Sequence, residues 1–183
     1  MNHTTFHAEE YDKKIKQTLP YYQDFYEQVT DILDVMGKVK VCWLDIGCGT
    51  GKMYEAAQRR APIQEFVFAD ISEKMLELSK SRFRAEGNQF KIRRNGVFFT
   101  FENIRPNSEV GKQIALQRWT KYQIEHGKSQ KEADEHKKRY ERGYYPIRIE
   151  SHLEMMRRCG FQSVELIWMS YMQAGFMGIK GGN

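Results

Sequence analysis

Residues 43–52 read WLDIGCGTGK. An apolar run ends in a turn with glycine at 47, 49 and 51, and Lys52 follows at once. The run begins upstream as VKVCWLDIG, continuous enough for a strand buried on both faces. TGKMYEAAQRRA then predicts a helix closed by Pro62, and EFVFADIS a second buried strand. SEKMLELSKSRFRAEG predicts a further helix, with Ser72 as N-cap and Gly87 as its stop. Strand, helix, strand, helix implies a parallel sheet with right-handed crossovers.

Glycine turns after a strand hold phosphates, dinucleotides or adenosyl groups, and the spacing discriminates among them. A phosphate loop needs GxxxxGK followed by Ser or Thr. Here Ile46 stands where the first glycine belongs and Met53 follows the lysine, so that reading fails twice. A dinucleotide loop needs GxGxxG, whereas Gly47, Gly49 and Gly51 make GxGxG. An adenosyl ligand suits the turn better. A turn without side chains lets backbone N–H groups approach a ligand closely, and the following helix start favours a carboxylate. Asp70 ends the second strand about 20 residues on, where a nucleotide fold places its ribose-binding acid.

Outward from this unit, residues 8–36 predict one or two helices broken near Pro20 and ended by Gly37. NQFKI predicts a short strand and GVFFTFEN a clear one. SEVGKQIALQRWTKYQIEHG, SQKEADEHKKRYERG and IRIESHLEMMRRCGF predict three helices. QSVELIWMSYMQAGFMGIKG predicts two closing strands that turn near Gln173 to Gly175. The fold class expected is α/β: a Rossmann-like, doubly wound, mostly parallel sheet with an antiparallel closing strand. One domain spans 1–183, with an N-terminal helical cap at 1–37, a cofactor-binding half at 38–92, and a C-terminal half at 96–183 that carries a helical insertion at 107–143.

The chain has 183 residues, 40% hydrophobic and 29% charged, with net charge +5. This composition fits one soluble domain. No apolar run is long enough for a membrane span, and the first residues lack the apolar core of a secretory signal, so no membrane partner is expected and the cytoplasm is the expected location. Much of the basic excess lies between Lys112 and Arg158. It allows a nucleic-acid partner without demanding one. Of three cysteines, Cys42, Cys48 and Cys159, no two form a CxxC pair, so neither a metal site nor a disulfide framework is expected. Cys48 reads as a small residue fitting the turn rather than as a nucleophile.

LDIGCGTG with FADIS resembles motif I and the following acidic motif of the class I S-adenosylmethionine-dependent methyltransferases. The resemblance implies that Asp45, Gly47, Cys48, Gly49 and Gly51 lie under the methionine part of the cofactor, that Asp70 holds the ribose and that Ile71 lines the adenine. The rest is similar to a narrower group, the carboxy-S-adenosylmethionine synthases. It is carried by QTLPYYQDFYEQVTDIL, by GVFFTFENIRPNSEVGKQIALQRW and by the segment from HKKRYERG onward. That group makes a carboxylated cofactor used in tRNA wobble-uridine modification, and the likeness implies Arg139, with Arg142 as alternate, as the carboxylate-binding arginine. A guanidinium fork suits a carboxylate, and the alternative is a solvated surface charge on a basic helix. The cofactor implied is S-adenosyl-L-methionine or carboxy-S-adenosyl-L-methionine, with a small-molecule acceptor. A methyltransferase, a carboxy-S-adenosylmethionine synthase relative and a degenerate binding module that does no chemistry are the rival functions, with a nicotinamide oxidoreductase behind them.

The chain departs from the pattern in the middle. NQFKI runs into RRNGVFF across Arg93, Arg94 and Asn95. A strand-helix segment near 92–95 is missing relative to the family, about 45 residues at ordinary element lengths. A chain this short would leave strand one with an open edge, a feature that invites exchange of elements in a homodimer. The catalytic residues are not legible. Tyr21, Tyr22 and Trp119 could close over the cofactor, although aromatics at helical spacing are more often core. Glu102 could meet substrate or cap the next helix. His126, His136 and His152 read as surface residues.

Overall fold

The computed structural model describes residues 8–37, 40–70, 72–83 and 96–181. Ile71, Gly87 and the strand expected at NQFKI lie outside them. The chain divides into two compact units. The first comprises Met1–Ile15 and Gln23–Lys91, the second Lys16–Tyr22 and Ile92–Asn183.

In the first unit, α1 (Ala8–Thr18, of which the residues up to Ile15 belong here) precedes α2 (Asp24–Val35). The break falls at Pro20, as the sequence requires. Helix α2 buries Val29, Thr30 and Leu33 on one face, and Gly37 follows it with φ +60°. Strand β1 (Val41–Ile46), helix α3 (Lys52–Ala57), strand β2 (Ile63–Ala69) and helix α4 (Glu73–Phe83) come next. β1 and β2 are parallel, with Leu44 opposite Val67 and Ile46 opposite Ala69. Tyr54 on α3 sits 4.8 Å from the Phe66 ring and 4.9 Å from that of Phe83 on α4. Trp43 stacks on Phe66 at 5.6 Å. Each such ring pair contributes about 1 kcal/mol beyond its buried area, and together they hold both helices against the strands that present the glycine turn.

The second unit contains β3 (Val97–Asn103), α5 (Glu109–Glu125), α6 (Gln130–Lys138), α7 (Ile149–Arg158), β4 (Phe161–Ser170) and β5 (Gln173–Lys180). Its sheet is antiparallel in the order β3-β5-β4. Helix α5 starts on Ser108, whose hydroxyl accepts the Gly111 N–H at 3.0 Å. Helix α6 starts on a capping box of Ser129 and Glu132. One core joins Ile104, Met156, Val164, Ala174 and Phe176; a second joins Leu116, Trp119, Tyr140 and Met172.

The fold is therefore mixed α/β, with one parallel and one antiparallel sheet. The α/β class expected from the sequence holds, with β1 and β2 parallel and the closing strand β5 antiparallel to both of its neighbours. Among the described residues β1 pairs with β2 alone and β3 with β5 alone, so each has one edge without a strand partner. The closing turn is corrected. It falls at Tyr171 and Met172, between β4 and β5, with Tyr171 at φ +52°. Gly175, expected in the turn, lies inside β5, where an added Cβ would collide with the Phe101 ring. It is glycine to admit a neighbouring ring, not to bend the chain. Helix α3 is shorter than expected and ends at Ala57. Among the described residues no helix is long and apolar enough to cross a membrane.

Candidate functional site

The glycine turn is tied to the end of β2 by backbone and side chain together. Gly47 and Cys48 both donate N–H to the Ala69 carbonyl, at 2.7 and 3.1 Å. Asp70 then accepts from two amides: Gly49 N–H to Oδ2 at 2.8 Å and Ser72 N–H to Oδ1 at 2.8 Å. A carboxylate has about four acceptor positions, so this one keeps two for a ligand. The three glycines have φ of +75°, +53° and +81° in chain order, a region costly for any residue with a Cβ. At Gly47 an added Cβ would meet nothing within 4 Å, whereas at Gly51 it would stand 2.6 Å from Phe83 and 3.2 Å from Phe68. The turn is thus packed from below at Gly51 and open at Gly47.

Asp45, at the end of β1, is half-buried, and its Oδ2 has no hydrogen-bond partner. Burial, and secondly the nearby Asp70 charge, push its carboxyl up to about 7. Cys48 is buried in the same place. Its thiol is pushed up to about 12, by burial first and then by Asp45 and Asp70. A thiol that high is not a nucleophile near neutrality. The turn, Asp45 and Asp70 form one open cradle with an orphaned acceptor and spare lone pairs, a donor-hungry arrangement that fits an adenosyl amino-acid ligand.

Several residues around the cradle carried no signal in the sequence. Ser79 on α4 donates its hydroxyl to the Gly49 carbonyl at 2.7 Å. Thr50 in the turn donates to Asp12 Oδ1 on α1 at 2.6 Å. Arg82 on α4 donates to Asp12 Oδ2 at 2.9 Å and to the Thr50 carbonyl at 3.2 Å. The Tyr11 ring lies 3.9 Å from where a Gly49 side chain would start. Only Thr50, inside GCGTG, could have been marked beforehand; its hydroxyl's partner is 38 residues away and its carbonyl's partner 32.

The candidate arginines, aromatics, acid and histidines singled out in the sequence belong to the second unit. Arg139 belongs to the second unit, at the C-terminal end of α6 and half-buried. Arg142 is exposed. Trp119 is 2% exposed and donates Nε1–H to the Thr18 carbonyl at 2.6 Å, so it is core, as is buried Tyr22. Tyr21 is exposed with φ +56°. Glu102 accepts the Thr100 hydroxyl at 2.6 Å and caps nothing, since Ser108 caps α5. Of the histidines expected on the surface, only His126 is there. His152 is buried and stacks on Phe176 at 4.8 Å. His136 is partly buried, with Nδ1 2.9 Å from Gln123 Oε1. Both lie on helix faces turned inward, which scattered polar neighbours in the sequence concealed.

Residues 44–102 match the family described as methyltransferase domain. This stretch contains the glycine turn, Asp45 and Asp70. With the cradle, this match supports a methyltransferase-type domain over that stretch, similar to the class I, S-adenosylmethionine-dependent kind. Among curated proteins, the chain is similar to the carboxy-S-adenosyl-L-methionine synthase of Campylobacter hominis, 29% identical over 90 residues, covering 49% of this chain and 38% of that protein. It is also similar to the protein of the same name from a Nitratiruptor species, 23% identical over 220 residues, covering 94% of this chain and 90% of that protein. An alignment of 220 positions is longer than the 183 residues of this chain, so the second relative carries residues for which this chain has no counterpart.

Proposed function

We propose that this chain binds S-adenosylmethionine in the glycine turn and transfers its methyl group to a small-molecule acceptor, through one methyltransferase-like domain of the doubly wound kind. The observation that carries the reading is the 2.8 Å hydrogen bond from Gly49 to Asp70, which sets the β2 carboxylate beside the turn. Asp70 would take the ribose hydroxyls on its unused lone pairs. Gly47, open above, would let the methionine part lie against backbone. Asp45 Oδ2 lacks a donor and would accept one from the ligand's ammonium or from water. The bound cofactor supplies a methyl on a sulfonium centre, an electrophile that asks little acid or base of the protein. What remains for the chain is orientation and exclusion of water.

Titration calorimetry of the full chain with S-adenosylmethionine and S-adenosylhomocysteine tests this. Micromolar binding, about −8 kcal/mol, is expected, weakened at least about tenfold by Asp70→Ala. A folded chain that gives no heat with either ligand overturns the reading.

A second reading, a carboxy-S-adenosylmethionine synthase-type activity, is favoured by the name that both curated relatives bear. Arg139 would then hold the extra carboxylate, with a bidentate fork suited to it. Under this reading the carboxylated cofactor binds more tightly than S-adenosylmethionine, and Arg139→Ala removes the difference. Equal affinity before and after that substitution rejects it.

A further inference from the structure

The glycine turn does not hold itself. Its left-handed residues are conformations that a free chain visits rarely except at glycine, and α3 beyond it is only six residues long. Three contacts reach the turn from outside β1 and β2. Ser79 takes the Gly49 carbonyl. Arg82 takes the Thr50 carbonyl. Asp12, on the N-terminal helix α1, takes the Thr50 hydroxyl with one oxygen and Arg82 with the other. Lys52 Nζ stands 3.9 Å from the same Asp12 oxygen. The Asp12 carboxylate therefore closes a ring of hydrogen bonds that runs from α1 to the turn, on to α4 and back. Thr50 is 2% exposed, so its hydroxyl has no water to replace a lost acceptor.

We infer that Asp12 is a positioning residue for the cofactor turn: through Thr50 and Arg82 it fixes the backbone of residues 49–52 in the ligand-ready shape. This inference rests on the cofactor reading above. Tyr11, next to it, brings its ring within 3.9 Å of the Gly49 position, so the same turn of α1 that holds the loop also covers it. Burial raises the Tyr11 hydroxyl above its ordinary value, with Asp70 and then Asp12 adding to the effect.

The test compares the full chain with Thr50→Val, Thr50→Ser and Asp12→Asn. The valine variant keeps the shape and removes the hydroxyl; the serine variant keeps the hydroxyl. Two readouts are taken: the affinity for S-adenosylhomocysteine by calorimetry, and amide hydrogen exchange of residues 47–52 without ligand. Thr50→Val and Asp12→Asn should weaken binding about tenfold, the scale of one buried hydrogen bond to a charged group, and should speed exchange in the turn more than in β2. Thr50→Ser should restore both. Unchanged affinity and unchanged exchange in Thr50→Val overturn the inference. If the parent chain binds no cofactor, the proposed function falls, and the exchange readout still decides the role of Asp12 in ordering the turn.

Discussion

Gly51 shows how much a single residue can be asked to do. Its φ of +81° excludes ordinary side chains, and the rings of Phe83 and Phe68 occupy the space a Cβ would need. Gly51→Ala should therefore destabilise the chain by about 2 kcal/mol or more and abolish ligand binding; thermal melting and calorimetry check the two halves. Asp45 acts through charge. Its carboxyl is raised from the ordinary 3.8 to about 7, so between these values the folded chain holds a proton that the unfolded chain has released. Stability then falls as pH rises from about 4 to 7. Asp45→Asn should flatten that fall and raise the melting temperature at pH 8, with little effect at pH 4. Of this site the sequence displayed the backbone-dictated part: three glycines and a strand-end acid at fixed spacing. It did not display Asp12, Ser79 or Arg82, because their roles depend on which helix faces meet the turn, and no short-range pattern encodes that.

The elements were legible where periodicity and punctuation agreed. Pro20 and Gly37 mark boundaries that the structure keeps. They misled where glycine served packing, as at Gly175, or where a helix buries a polar residue. Helix α6 is the instructive case. Its composition is strongly charged, yet His136 turns inward to Gln123, which is 1% exposed, and packs 4.7 Å from the Trp119 ring. Burial, then Lys128, then Arg139 push the imidazole down from 6.5 to about 4. The unfolded chain binds the proton more readily, so this stability is present above pH 6.5 and lost as pH falls towards 4. The sense is opposite to that of Asp45 over an overlapping window. Urea unfolding at pH 7.5 and 4.5 should show His136→Phe less acid-sensitive than the parent chain.

At the scale of the molecule, the cradle residues Asp45, Gly47, Gly49, Gly51 and Asp70 all belong to the first unit, and Arg139 to the second. Cofactor at a hundred times its dissociation constant should add about 2.7 kcal/mol, and the added amide protection should concentrate in residues 47–52 and 72–79. Protection spread evenly over β3, β4 and β5 would contradict a cradle built by the first unit. The strand edges at β1 and β3 belong to this scale too. The sequence predicts the open edge of β1 from a shortfall of residues before GVFFTF, and the 220-position alignment shows that the Nitratiruptor relative carries residues with no counterpart in this chain.

The three thiols offer a way to measure what neither unit states alone. Cys48 is buried, with its proton held to about pH 12, while Cys42 and Cys159 are exposed. A maleimide reagent at pH 7 should modify two cysteines per native chain and spare the third until the chain is unfolded, as intact mass will show. Cys42 lies in the first unit and Cys159 in the second. Nature has thus left one attachment point on each, and a donor and acceptor dye placed there would form a spectroscopic ruler between the units, readable with and without ligand and without changing a single residue.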